Sequence, residues 1–289
     1  MRDYLVKRVL QALGVILCIS AITFFVLNIV PGDPVRVMMG DMADEATIAQ
    51  VRHSMGLDRP IPVQYFSWLG DMLHGDFGTS YAQHRGVIEL MGRALGVTAK
   101  LSGLAYLLSL AIGLVFGVVS AVNRGKAADR ILMALSIFGI SAPAFWVAII
   151  LQIVFAMNLH WLPLSGVRTA ACFVLPVIAL GTRYAASIAR VTRTAMLEVL
   201  NQDFMRTAEA KGLAKWVVII KHGLRNALIP IITIAGTQLG QILTGSILIE
   251  SVFSMPGIGK LLLDAIQARD LPLIQGGVMY IALICVIVY

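Results

Sequence analysis

Six long apolar stretches divide the chain, at 9–30, 101–122, 131–157, 173–189, 228–249 and 273–289. Each is close to the roughly 20 residues that carry a helix across the hydrocarbon core of a bilayer. The pattern predicts an all-α integral membrane protein of about six transmembrane helices. Between the first and second stretches the chain turns polar. Helix-like runs at 44–55 and 63–73 alternate there with Pro60, Pro62, Gly75 and Gly78, which break them. This segment is long enough for a small structured cap, in which Tyr65, Phe66, Trp68, Leu69 and Leu73 are expected to pack together. The organisation expected is a first helix with its leading residues at 1–30, a cap at 31–98, and a five-helix core at 99–289 carrying a polar loop at 195–226.

Composition supports the bilayer as solvent. Of 289 residues, 58% are hydrophobic and only 13% charged, about half the charged share of a soluble domain. The net charge of +7 does not point to nucleic acid, because the cations cluster in short inter-helical segments. Arg2, Lys7 and Arg8 precede the first stretch, and Arg124, Lys126 and Arg130 fill the turn after the second. Arg190, Arg193, Arg206, Lys211, Lys215, Lys221 and Arg225 crowd the region between the fourth and fifth. The alternate loops are poor, with Arg168 alone at 159–172 and Lys260 and Arg269 at 251–272. By the positive-inside rule the basic segments are cytoplasmic and the cap is external.

The amino terminus imitates a signal peptide, but its apolar run is too long for a cleaved one, and Pro31-Gly32-Asp33-Pro34 follows in place of a cleavage site. The final stretch is still apolar at Tyr289, without the Lys or Arg expected at a cytoplasmic end, so the sequence reads as cut short there. Cys18, Cys172 and Cys285 are far apart and show no metal or disulfide spacing. The five histidines are equally scattered, and no acid–base or nucleophile constellation falls in the spans. No metal site and no catalytic residue is expected.

The segment 201–225 is amphipathic and too polar to cross a membrane. Asn201 or Asp203 can cap a short helix, and Gly212 suits the left-handed turn after it. A second helix is expected at 213–222, with Trp216, Val217, Ile219 and Ile220 as its apolar side and Gly223 ending it. Two readings stand on physics alone: a knob that docks into a soluble partner, or a helix pair resting on lipid headgroups.

Glu209-Ala210-Lys211-Gly212, followed by Leu224-Arg225-Asn226-Ala227-Leu228-Ile229-Pro230, resembles the EAA loop of ABC-importer permeases. Further matches run along the chain: Pro31-Gly32-Asp33-Pro34, Gly56-Leu57-Asp58-Arg59-Pro60, Gly75-Asp76-Phe77-Gly78-Thr79-Ser80, Ile140-Ser141-Ala142-Pro143-Ala144-Phe145, Trp161-Leu162-Pro163 and Val252-Phe253-Ser254-Met255-Pro256-Gly257-Ile258-Gly259. Together they resemble the dipeptide, oligopeptide, glutathione and nickel branch of that family. The resemblance implies a type I importer permease fold in the bacterial inner membrane. It further implies a homologous second permease subunit, two ATP-binding subunits and an extracytoplasmic solute-binding protein as partners. It places ATPase coupling on Glu209, Ala210 and Gly212, with Thr207, Arg206 and Lys211 beside them. No cofactor is expected on this chain; ATP and Mg belong to the partner ATPases. The nearest P-loop lookalike, 254–261, lacks the first glycine and the final Ser or Thr.

The fifth stretch carries Thr233, Thr237, Gln241 and Thr244 at helical spacing, with Gln238 beside them. They line a solute path, or they join helices, since Gly236 and Gly240 form a GxxxG face nearby. Gly113 and Gly117 form a second GxxxG pair, read as packing. Arg183 lies about 15 Å into the fourth span by helical rise, where an arginine is costly and by default functional. It greets a peptide carboxylate, pairs internally, or faces a wet vestibule. The competing function is a secondary transporter or channel with no ATPase, which would not require the EAA-like knob.

Overall fold

The computed structural model describes residues 2–29, 34–39, 44–54 and 56–288. Pro31, Gly32 and Asp33 of the first expected motif lie outside the described residues, as do the span ends Val30 and Tyr289. The order is α1 (Arg2–Ile29), α2 (Pro34–Met39), α3 (Glu45–Ser54), α4 (Ile61–Leu73), α5 (Val87–Val122), α6 (Ala127–Ser141), α7 (Ala144–Leu151), α8 (Ala171–Leu200), α9 (Asp203–Ala210), α10 (Lys215–Val217), α11 (Arg225–Val252), α12 (Ile258–Gln267) and α13 (Leu271–Val288). Two π-helical segments, Gln152–Asn158 and Val218–Leu224, continue α7 and α10. Among the described residues the only β pairing is a bridge between Thr79 and Gly86.

Among the described residues four helices are long and apolar enough to cross a membrane: Val6–Ile29, Val87–Val122, Ala171–Leu200 and Lys215–Val252. Leu271–Ile287 is a shorter apolar helix. The third expected span is corrected. It is two helices, Ala127–Ser141 and Ala144–Asn158, bent by 103°. The cause is Pro143, which has no N–H to donate and holds the residue before it out of the helical region. Ala142 is accordingly extended, at ψ 128°, and Pro143 becomes the N-cap of α7. The second span is longer than its apolar run, because α5 begins at Val87 rather than near Leu101.

Packing groups the chain into two compact units, Met1–Gly96 with Lys260–Tyr289, and Val97–Gly259. In the first unit α1 packs on α13 and α4. Phe24 is buried against Tyr65 and Trp68, with ring centroids 5.4 and 5.6 Å away, and Phe66 meets Tyr65 edge-on. Of the expected cap cluster, Tyr65 and Trp68 gather on Phe24 of α1, whereas Phe66 is 68% and Leu73 81% exposed. Asp270, at the start of α13, is buried. It accepts hydrogen bonds from the Ser80 hydroxyl and from the Tyr81 and Ala82 amides, both amides at 3.1 Å. Tyr81 is pushed up to about 12 by burial and by the Asp270 charge.

The second unit is a bundle centred on α8, which packs against α6, α7 and α11. The Gly113–Gly117 pair serves packing. A Cβ on Gly113 would lie 2.6 Å from Ile188 Cβ, and one on Gly117 would sit against Thr192. Close approach of two helices through small residues is how membrane helices gain contact without a hydrophobic driving force. The main core joins Leu101, Ala105, Leu175, Leu180, Ile242, Ile249 and Phe253.

Candidate functional site

The knob after α8 is built from two short pieces on a small apolar anchor. Met205 and Ala208 on one face of α9 are buried with Val218 against Val199 and Leu200. The opposite face, carrying Arg206, Thr207, Glu209, Ala210, Lys211 and Gly212, is exposed. Gly212 has φ +73°, and a Cβ placed on it would meet nothing within 4 Å, so it serves the left-handed turn and leaves open space around it. Glu209 has no ion-pair partner among the described residues; the nearby pair is Arg206 with Asp203, at 3.8 Å on the surface.

Three details of the expected knob change. Neither Asn201 nor Asp203 caps α9: its N-cap is Gln202, with no side-chain cap bond, and Asn201 donates back to the Leu197 carbonyl. Gly223 does not end a helix. The chain runs on through the π-helical segment into α11, and Gly223 is buried where a Cβ would stand 3.2 Å from Met196 Cε. The buried side of the second piece is Val218, whereas Trp216 is 70% exposed and Ile220 is exposed. Phe204, Leu213, Trp216 and Ile220 thus add apolar area to the exposed knob.

The expected polar stripe on α11 divides. Thr233, Thr237, Gln241 and Thr244 are exposed, and the threonine hydroxyls donate to carbonyls of their own helix. Gln238 is buried, and its Oε1 finds no hydrogen-bond partner among the described residues. Arg183 is exposed in the middle of α8 and has no carboxylate partner among the described residues. The faces of α8 explain its setting. Ala185, Ile188, Ala189 and Thr192 meet Gly113 and Gly117 of α5, Ala186 meets Gly139 of α6, and Tyr184 Oη donates to the Gln241 carbonyl of α11 at 2.9 Å. At 100° per residue, Arg183 and Arg190 fall on the remaining face, opposite α5. On α11 the threonines likewise lie away from Ser246 and Glu250, which bond toward Thr98 of α5. Arg183 on α8 and the threonine stripe on α11 thus each lie away from the α5 contacts of their own helix.

Two buried polar anchors escape a reading of the sequence. Glu250 is fully buried and accepts from the Thr98 hydroxyl at 2.7 Å, the Ser246 hydroxyl at 2.9 Å and the Gly259 amide at 2.8 Å. Thr98 Oγ1 in turn accepts from the Ile258 amide at 2.9 Å. The 252–259 motif is thus a wrap around one carboxyl group. Gly257 and Gly259 are glycines because a Cβ would collide with Glu250 and with Ile247 respectively. The second anchor is Asp129, which receives Arg193 bidentately at 2.7 and 2.8 Å together with the Ser120 hydroxyl and the Gly125 amide. Both join partners far apart in the chain. Among the described residues no three His, Cys, Asp or Glu side chains converge to hold a metal.

Comparison with known proteins fits these features to one family. Residues 113–289 match the binding-protein-dependent transport system inner membrane component, and residues 1–102 match its N-terminal companion. Glutathione transport system permease protein GsiC of Pectobacterium atrosepticum is 41% identical over 98% of this chain and 92% of its own. GsiC of Escherichia coli K12 is 38% identical over the same shares. In fold, the chain resembles a subunit of the inward-facing MetNI methionine ABC transporter, with a TM-score of 0.59 at 18% identity over 70% of this chain and 92% of that one. It also resembles an amino acid ABC transporter crystallised with histidines, with a TM-score of 0.53 at 17% identity over 69% and 88%. The chain belongs to the family of binding-protein-dependent transport system inner membrane components, and is a multi-pass inner-membrane permease subunit of an ABC importer.

Proposed function

We propose that the chain forms half of a translocation path beside a homologous permease subunit, and that two ATP-binding subunits drive it by seating on the α9–Gly212 knob. ATP and Mg are bound by those partners, and this chain hydrolyses nothing. An extracytoplasmic binding protein delivers the solute, which is peptide-like. The name of the relatives, glutathione transport permease, supports a short peptide with free carboxylates. Arg183 and Arg190, on the open face of α8, supply positive charge for such groups. A lipid-facing Arg183 would cost roughly 2.5–3.5 kcal/mol at mid-bilayer, so this face of α8 borders a wet path.

The observation that carries this reading is the knob itself. Its buried side is spent on Met205, Ala208 and Val218, while Glu209, Ala210 and Gly212 stand in open space beside the exposed Trp216 and Phe204. A face of this kind fits a groove on a soluble subunit. A cysteine replacing Ala210 in the assembled transporter tests it. Short thiol cross-linkers are expected to join it to an ATP-binding subunit. Cross-linking to lipid-analogue probes alone would refute the docking.

A further inference from the structure

The first unit contains a cavity of about 380 Å³ that no part of the coupling or path assignment uses. Its volume lies in the range that holds small ligands, roughly 300–1,000 Å³. Phe24, Trp68 and Tyr81 supply aromatic wall, and Gln275 of α13 reaches it from the packed interior.

Gln275 is the informative group. The residue is only 8% exposed, and its side-chain amide, which is not among the buried unpartnered groups, keeps its solvent access on the cavity side. An amide at a cavity wall can donate to and accept from a ligand there. Two opposite charges line the same space. Arg59 folds its guanidinium over Gly56, whose Cβ position lies 3.4 Å from Nε. Asp71 stands on the last turns of α4. Neither side chain forms a hydrogen bond or ion pair with the other or with any described residue. The one carboxylate next to Arg59, Asp58, is already engaged by His53 Nδ1 at 2.6 Å, and that bond holds the Asp58 carboxyl below its usual range.

We propose that this cavity is a binding subsite for a short zwitterionic peptide, separate from the translocation path. Arg59 takes the terminal carboxylate and Asp71 the terminal ammonium. Gln275, which offers a donor and an acceptor together, pairs with a peptide bond between them. The aromatic wall covers the side chains. The subsite's role as an entry station rests on the importer reading; its binding chemistry does not.

The test is trialanine binding to the full chain in lipid nanodiscs, followed by tryptophan fluorescence, with Trp68→Phe identifying the cavity's contribution. Saturable binding is expected. Amino-terminal acetylation and carboxy-terminal amidation should each weaken it by about tenfold, the cost of one charge-assisted hydrogen bond. Gln275→Leu should weaken it by a similar factor. In Asp71→Asn, acetylation should cost nothing further, and in Arg59→Gln, amidation should cost nothing further. Both of those positions are exposed, so folding is not at stake. Absence of saturable binding, equal affinity for blocked and free peptides, or wild-type affinity in all three variants would overturn the proposal. No ATPase takes part, so failure here leaves the coupling assignment standing, and failure of coupling leaves this site standing.

Discussion

Two glycine-bearing segments of this chain sit in opposite surroundings. At 209–212 the motif is exposed, and Gly212 has φ +73° with empty space around it. At 253–259 the motif is buried, and Gly257 and Gly259 lie against Glu250 and Ile247 so closely that a methyl group would collide. In sequence each is a short segment that ends on glycine, the first charged and the second largely apolar. In the structure one glycine permits a bend and leaves its neighbours exposed, while the others permit contact and complete a network. The difference separates an exposed turn from a fastening internal to the fold.

Breaking the fastening should have the largest effect on stability. Glu250→Ala strands the Thr98 hydroxyl proton and the Gly259 amide in the interior, while Ser246 keeps the Leu243 carbonyl, at a cost of about 4 kcal/mol. Thermal melting of the detergent-solubilised protein would read it; a melting point at the wild-type value would dissolve the fastening half of the comparison. Asp129→Ala comes next. It leaves the Arg193 guanidinium without its bidentate partner, and breaking a buried pair costs roughly 3 kcal/mol. Arg193→Ala should cost a similar amount, and the double variant less than the sum. Smaller still is Gly212→Val, which forces a branched side chain into a left-handed turn for about 1–2 kcal/mol. Gly212→Asn, which tolerates that turn, should melt close to wild type. If Asn and Val behaved alike, the turn would not explain the glycine.

Much of this was legible from residue order. The apolar runs placed the helices, Gly212 placed the turn after α9, and the EAA-like residues placed the knob. The rest depended on contacts that sequence spacing cannot reveal. Glu250 reads as a stray carboxylate in an apolar helix until Thr98, 152 positions away, is brought against it. Asp129 and Arg193 look like loop charges until α6 packs on α8. Gly223 looked like a stop because glycine weakens helices, but a π-helical segment carries the chain through and Met196 claims the space. The break at Pro143 had a local signal in the residue itself, which a long apolar run outweighed. Gln238 fell beside a polar stripe by helical spacing yet turned inward.

The central claim is that the exposed knob couples this chain to ATP hydrolysis elsewhere. It is tested most directly by the assembled transporter carrying Glu209→Lys, with ATP hydrolysis measured with and without solute-loaded binding protein. Glu209 is exposed and unpaired among the described residues, so its replacement should shift stability by no more than about 0.5 kcal/mol. The account predicts an intact complex that melts as wild type and no longer raises its hydrolysis rate when loaded binding protein arrives. Full stimulation in that variant would contradict it.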